Sequence, residues 1–473
     1  MARSLAPATN IPDGSFTHTP SSTRFTVRST SDGIWQSLEH GNETEALTAA
    51  YAIGSGNHAI GYLVEIDHHL FQSPLSYYTV RKLWDVAPGY EQSSAPDFSR
   101  PVTPECLACH SDQPRPAPNT LNTFQSPPFG AMAISCDRCH GSSEAHLKKP
   151  VPGSILNPAK LNGAARDSIC EQCHLAGEIR IPNPGRTLAD FHPGERTEDV
   201  FTVYVATGIN PRGLKVISHS EQLALSTCAR QSDGKLWCGT CHDPHEKPLQ
   251  PAAYYRERCL SCHASTLSDA HAAPKQDCVA CHMPRLPARD GGHTVFTDHR
   301  IARHPEIPPP PTPGAPGLRA WREPEPTLRE RNLALALVTH GLENSLSDEA
   351  IRGYRMLNRM EPQLSNDAAA LTALGSVLLT AKQPREAEIR FERALTRRPD
   401  YAPYEVNLGN ALLEAGETTG ALRHLERAAA LDPLLQQAVY SLARAYRRQG
   451  DAAHAASVVD RYRAAMNITM KTK

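Results

Sequence analysis

One pattern, Cys-x-x-Cys-His, occurs six times and limits what this chain can become more than any other feature. The copies are Cys106-Leu-Ala-Cys109-His110, Cys136-Asp-Arg-Cys139-His140, Cys170-Glu-Gln-Cys173-His174, Cys238-Gly-Thr-Cys241-His242, Cys259-Leu-Ser-Cys262-His263 and Cys278-Val-Ala-Cys281-His282. Random placement of the same cysteines and histidines gives on the order of 0.02 such motifs. Two cysteines three positions apart can each form a thioether to one vinyl group of a single haem, and the histidine that follows is placed to ligate the iron from the near face. Zinc sites also use Cys-x-x-Cys pairs, but zinc gives no reason for a histidine after every pair. Thioredoxin-like or disulfide use requires neither six copies nor the histidines. The reading is therefore six covalently bound haem c groups, held by these twelve cysteines, with His110, His140, His174, His242, His263 and His282 as proximal iron ligands. Cys228, the thirteenth cysteine, reads as a small buried residue.

Composition supports that reading indirectly. A chain of 473 residues has room for two or three domains, yet only 6% of it is aromatic, which is lean for a large core around the motifs. Six porphyrins would change this, because each is a large apolar plate to be buried. The region is thus expected to depend on haem to fold. A net charge of −1 points neither to nucleic acid nor to an anionic membrane surface. No apolar run is long enough for a transmembrane helix. No signal peptide follows Met1, although covalent haem attachment belongs outside the cytoplasm; the expectation is a periplasmic or otherwise exported protein whose export signal lay upstream of Met1.

Taken in order, the chain divides at changes of composition. Residues 1–100 contain no cysteine and read as a β-rich part of the cytochrome domain. Phe25-Thr-Val-Arg28 alternates apolar and polar side chains, and Tyr62 to Phe71 reads as a hairpin turning at Asp67-His68-His69, with both histidines solvated. Residues 101–304 hold all six motifs, on short helices joined by irregular, Pro- and Gly-containing connections. Residues 305–326 read as a Pro-rich linker, a semi-rigid spacer with no core of its own. Residues 327–470 then repeat with a period of 34: Leu374-Gly375, Leu408-Gly409 and Leu442-Ala443 align, as do Ala387, Ala421 and Ala455, and Phe391, Leu425 and Val459. Pro399 and Pro433 close two units. This matches the tetratricopeptide pattern of stacked helix pairs, with three clear units preceded by a looser one carrying Ala350, Tyr354 and Pro362 at a spacing of 37. Such a surface is expected to bind a protein or peptide. The fold class is multi-domain: a β-rich segment, an irregular short-helix multihaem region, and an all-α solenoid.

Histidines outside the motifs bear on what the irons could do. Candidates for distal ligation are His18, His58, His146, His219, His245, His271, His293 and His299. His146 and His245 follow their own motifs so closely that each is expected to ligate a neighbouring haem, tying the haems into a packed array. His242, His263 and His282 are only 21 and 19 residues apart, too little chain to wrap each haem separately. Close haems with both axial positions filled exchange electrons well and bind external ligands poorly, so conduction between protein partners is the default function.

The chain resembles the multihaem cytochromes c that carry C-terminal tetratricopeptide repeats. These belong to the broad class that includes the tetrahaem electron-transfer cytochromes of ammonia oxidisers, pentahaem nitrite reductase and hydroxylamine oxidoreductase. The resemblance rests on Gly54-Ser-Gly-Asn-His58, Pro88-Gly-Tyr90, Glu105 to His110, Cys136 to Gly141, Cys281-His-Met-Pro284 and His293-Thr-Val-Phe-Thr-Asp-His299-Arg-Ile301. It implies an electron-transfer role with a redox partner protein. The alternative is a multihaem oxidoreductase acting on a small nitrogen or sulfur oxyanion at one open-site haem. No lysine replaces a motif histidine as in the nitrite reductases, no cross-linking tyrosine is identifiable, and no catalytic residue is assigned. Members of this type usually carry one more motif near the start, so a seventh haem is expected in a longer chain.

Overall fold

The computed structural model describes residues 5–7, 11–208, 213–264, 277–307 and 314–470. Alternation of apolar and polar side chains builds the first part. In Thr23–Thr30, Thr23, Phe25 and Val27 point inward and their neighbours outward, the period of a half-buried strand. Antiparallel partners Gly14–His18, Gly33–His40 and Glu43–Ala49 extend this into a meander. A second sheet is centred on Ile60–Ile66 and His69–Tyr78, joined by a tight turn in which Asp67 and His68 both have positive φ, of 45° and 63°. Two such residues match a two-residue turn to the twist of its strands.

The expected hairpin is present, but His69 is not solvated. It is 7% exposed and faces Asp432 of the helical region at 3.3 Å. Burial pulls its pKa down, and the hydrogen bond and charge of Asp432, with the Asp67 carbonyl, outweigh that and raise it. His68 is exposed, as expected of a turn.

The motif-bearing region is short helices, loops and small sheets. Its apolar core is uneven. Between residues 131 and 164 no described residue is buried, and between 215 and 304 the only buried apolar side chain among the described residues is Ala288. Four of the six motifs lie in these two stretches.

Eight helices follow in four antiparallel pairs: Arg329–Glu343 with Ser347–Met360, Ala368–Thr380 with Pro384–Arg397, Ala402–Glu414 with Thr418–Leu431, and Gln436–Gln449 with Ala452–Ala465. Small residues set their approach. A Cβ on Gly375 would lie 2.6 Å from Phe391, and one on Gly409 2.6 Å from Leu425, so only glycine lets these pairs close. Gly341, 34 residues before Gly375, plays the same part against Ala350, at 2.6 Å. The result is a tetratricopeptide-like solenoid.

The solenoid is not a separate module on a spacer. Ile181 and Tyr204 share a core with Ala334, Leu335 and Leu374, and Asn332 donates to Asn183 and Thr202. At the other end Phe25, Phe71 and Phe98 pack in one core with Val439, Leu442 and Tyr462. The strand Ile468–Met470 adds to the edge of Glu43–Ala49. The linker reading also needs correction. Gly317–Ala320 pairs with Phe201–Thr207, and Arg322 binds Glu171, inside the third motif, at 2.5 and 2.9 Å. A backbone that supplies ladder hydrogen bonds and a charged clamp belongs to the motif region rather than spacing it away. The run from Pro308 to Pro313 lies outside the described residues.

Candidate functional site

All six motifs form helical turns. They sit on Pro104–His110, on Asp137–His140 with Cys136 as its cap, at the end of Gly163–His174, on Cys238–Cys241 capped by His242, at the end of Pro251–His263, and on Cys278–His282. Local sequence explains several starts. Asn162 accepts from Ala165 N, Asp277 accepts from Val279 N and Ala280 N, and Pro104 and Pro251 occupy first helical positions. On a helix, residues three apart share a face, so the two thiols of each motif project to the same side.

The motifs meet one another through these thiols. Cys109 of the first motif and Cys173 of the third lie near enough to shift each other's ionisation, as do Cys170 of the third and Cys238 of the fourth, and Cys259 of the fifth and Cys278 of the sixth. Cys139 of the second lies within electrostatic reach of Cys170, and Cys262 of the fifth within reach of Cys241. Cys109 is pushed down to about 6 by the Cys173 thiol that donates to it, burial opposing and Arg180 assisting. The six attachment sequences therefore form one group, with the third motif beside the first, the second and the fourth. All thirteen cysteines are free thiols. Cys228 is only half-buried, not the enclosed residue expected, because its helix Thr227–Arg230 lies on the surface beside the fourth and fifth motifs.

Histidines gather at the centre. His219 faces His174 at 5.1 Å between ring centroids and His299 at 4.8 Å, and His299 faces His242 at 6.1 Å. His58 joins through Phe296, 4.4 Å away, which also faces His219. Burial, then His174, His299, His242 and His58, push His219 down to about 3, so it is a neutral imidazole with a lone pair to give. The Nδ1 atoms of His58 and His219 are buried without a hydrogen-bond partner. His245 lies 5.8 Å from His140 with rings 24° apart, so it stands beside the histidine of the second motif and not beside His242 of its own.

Other candidates are placed elsewhere. His18 is enclosed in the first sheet, bonded to Ser21 Oγ at 2.8 Å and to the Glu91 carbonyl at 3.1 Å, which occupies both ring nitrogens. His293 Nε2 is held by Asp85 at 2.6 Å. His146 binds Ser154 Oγ at 2.8 Å. His271 lies outside the described residues.

These residues fit haem c. His140, His282 and His299 each donate Nδ1–H to a backbone carbonyl, of Leu156, Ala302 and Thr297, which fixes the tautomer whose Nε2 carries the lone pair. His140 with His245, at 5.8 Å, and His242 with His299, at 6.1 Å, are the pairs whose spacing would let two imidazoles hold one metal between them. The stretches poor in apolar core are where a large apolar group would be buried. Two contributors had gone unread: Tyr255, whose hydroxyl meets His242 Nδ1 at 3.2 Å, and Phe296 between His58 and His219. Tyr255 sits one helical turn before Cys259, a spacing that could have marked it.

No protein-family model matches the chain, and no curated protein matches it. Solved structures resemble its solenoid. MamA is matched at 20% identity over 30% of this chain and 81% of MamA, with a TM-score of 0.27. A mutant O-GlcNAc transferase of Thermobaculum terrenum is matched at 26% identity over 25% of this chain and 23% of that one, with a TM-score of 0.23. A Podospora anserina kinesin light chain protein with nearly identical TPR-like repeats is matched at 19% identity over 29% of this chain and 74% of its own, with a TM-score of 0.26. Among the described residues, no helix is long and apolar enough to cross a membrane.

Proposed function

We propose that this chain is an exported multihaem c-type cytochrome that carries electrons between protein partners through six closely packed haems. The grouping of the attachment motifs supports this reading most directly: thiols of different motifs lie near one another, so groups bonded to them would be neighbours. Bound haem supplies a reversible one-electron centre. The chain's part is to hold these centres close together and to fill axial positions from the central histidines. The solenoid is read as the surface that meets a redox partner, because stacked helix pairs present an extended face.

The test is expression with an added export signal in a host competent in cytochrome c maturation, followed by mass spectrometry. Six haem increments are expected, and a colourless product would sink the proposal. Carbon monoxide added to the reduced protein is then expected to leave the spectrum unchanged; a clear change at one haem favours an open-site oxidoreductase.

A further inference from the structure

The helix Pro251–His263 ends in the fifth motif, and Tyr255 lies four residues before Cys259 and seven before Cys262. Residues at those separations share one helix face, so the tyrosine and the two thiols form a single stripe. The stripe is turned towards the fourth motif. Cys241 lies within electrostatic reach of both Cys259 and Cys262, and Tyr255 meets His242.

The Tyr255 hydroxyl oxygen is 3.2 Å from His242 Nδ1, and the two rings meet edge to face with centroids 5.5 Å apart. Tyr255 also meets Tyr254 edge to face at 5.2 Å, and Arg258 in turn donates to the Tyr254 hydroxyl at 3.1 Å. His242 faces His299 at 6.1 Å, with the rings 31° apart. His299 donates Nδ1–H to the Thr297 carbonyl at 2.9 Å. Both members of this pair therefore have Nδ1 engaged, and once Nδ1 bears the proton the lone pair is on Nε2. His140 and His282 use backbone carbonyls for the same purpose, at 2.7 and 3.0 Å, whereas His242 uses a side-chain hydroxyl.

We propose that Tyr255 is the positioning residue for the haem bonded at the fourth motif: its hydroxyl oxygen accepts from His242 Nδ1–H, which leaves Nε2 to the iron and makes the imidazole a stronger electron donor. The inference rests on the haem reading above and deepens it. A residue on the helix that carries the fifth motif then sets the potential of the haem at the fourth.

A hydrogen bond from Nδ1–H raises the basicity of a ligating histidine and so favours ferric over ferrous iron. Losing it raises the midpoint. In a potentiometric titration of the full haem-loaded chain, Tyr255→Phe keeps the ring, removes the oxygen and is expected to raise one midpoint. The expected size is about tenfold in the reduced-to-oxidised ratio, about 59 mV for one electron. Tyr254→Phe, which removes the hydroxyl bound to Arg258, is expected to move none. Six haems by mass with every midpoint unmoved in Tyr255→Phe overturns this inference alone. A midpoint that falls overturns it too, and so does an equal rise in Tyr254→Phe, which marks a general loosening of the helix. An unsubstituted chain whose mass is short of six haem increments overturns the haem reading and this with it.

Discussion

Glu45 is a single side chain whose chemistry constrains the junction between sheet and solenoid. It is 3% exposed, and burial, with Asp97 and Glu43 adding and the Phe98 backbone hydrogen bond opposing, pushes its pKa up to about 8. The folded protein therefore binds a proton here that the unfolded chain releases above its ordinary value of 4.5. The stability this group contributes is full below 4.5 and is lost as pH rises through about 8. Glu45→Gln is expected to flatten that decline and to raise the melting temperature at pH 8, as thermal denaturation followed by circular dichroism would show. His299 makes a second case. Replacing it with alanine is expected to leave six haems by mass and to convert one low-spin ferric signal to high-spin in low-temperature EPR; an unchanged spectrum removes His299 from the ligand set. At this scale the six motifs were legible as a pattern because cysteine spacing is local. Which of the other histidines gather at the centre was not, since His18 and His299 look alike in sequence, and only folding brings Glu91 to one and His219 to the other.

Glycines at one helix position decide how closely the pairs of the solenoid approach. Gly409→Val puts branched atoms where even a Cβ would be 2.6 Å from Leu425, and is expected to cost about 1–3 kcal/mol in urea unfolding. The 34-residue period made the last three pairs legible. In the first pair both helices keep the spacing of 37 to the second, from Glu343 to Thr380 and from Ser347 to Pro384. The extra residues fall in the connection after Ser347–Met360, where the chain runs on to Asp367. Asp367 caps the next helix and pairs with Arg331 at 2.7 Å, so that connection does structural work. The strand Gly317–Ala320 was hidden by the proline run before it, because the strand it pairs with lies over a hundred residues upstream, with Thr207 and Gly317 separated by 110.

Over the whole molecule, apolar burial is concentrated in the sheets and the solenoid and nearly absent around four of the six motifs. Protein made without haem insertion is expected to be cut first by protease between residues 215 and 304, and haem-loaded protein to resist there; equal cleavage in both would contradict a haem-supported core. Removing residues 326–473 is expected to yield aggregates on size-exclusion chromatography instead of a working cytochrome part, because Phe25, Phe71 and Phe98 lose their packing partners. The joining of sheet and solenoid could not be read from either alone, since each has the pattern of a self-sufficient unit. Its tightest expression is the clasp at Ile468–Met470, where Thr469 and Thr44 bond across 425 positions of chain. Zipping so distant a strand demands that nearly everything between be made and ordered first. Until then Glu43–Ala49 is left as an open edge strand, a ready template for another chain.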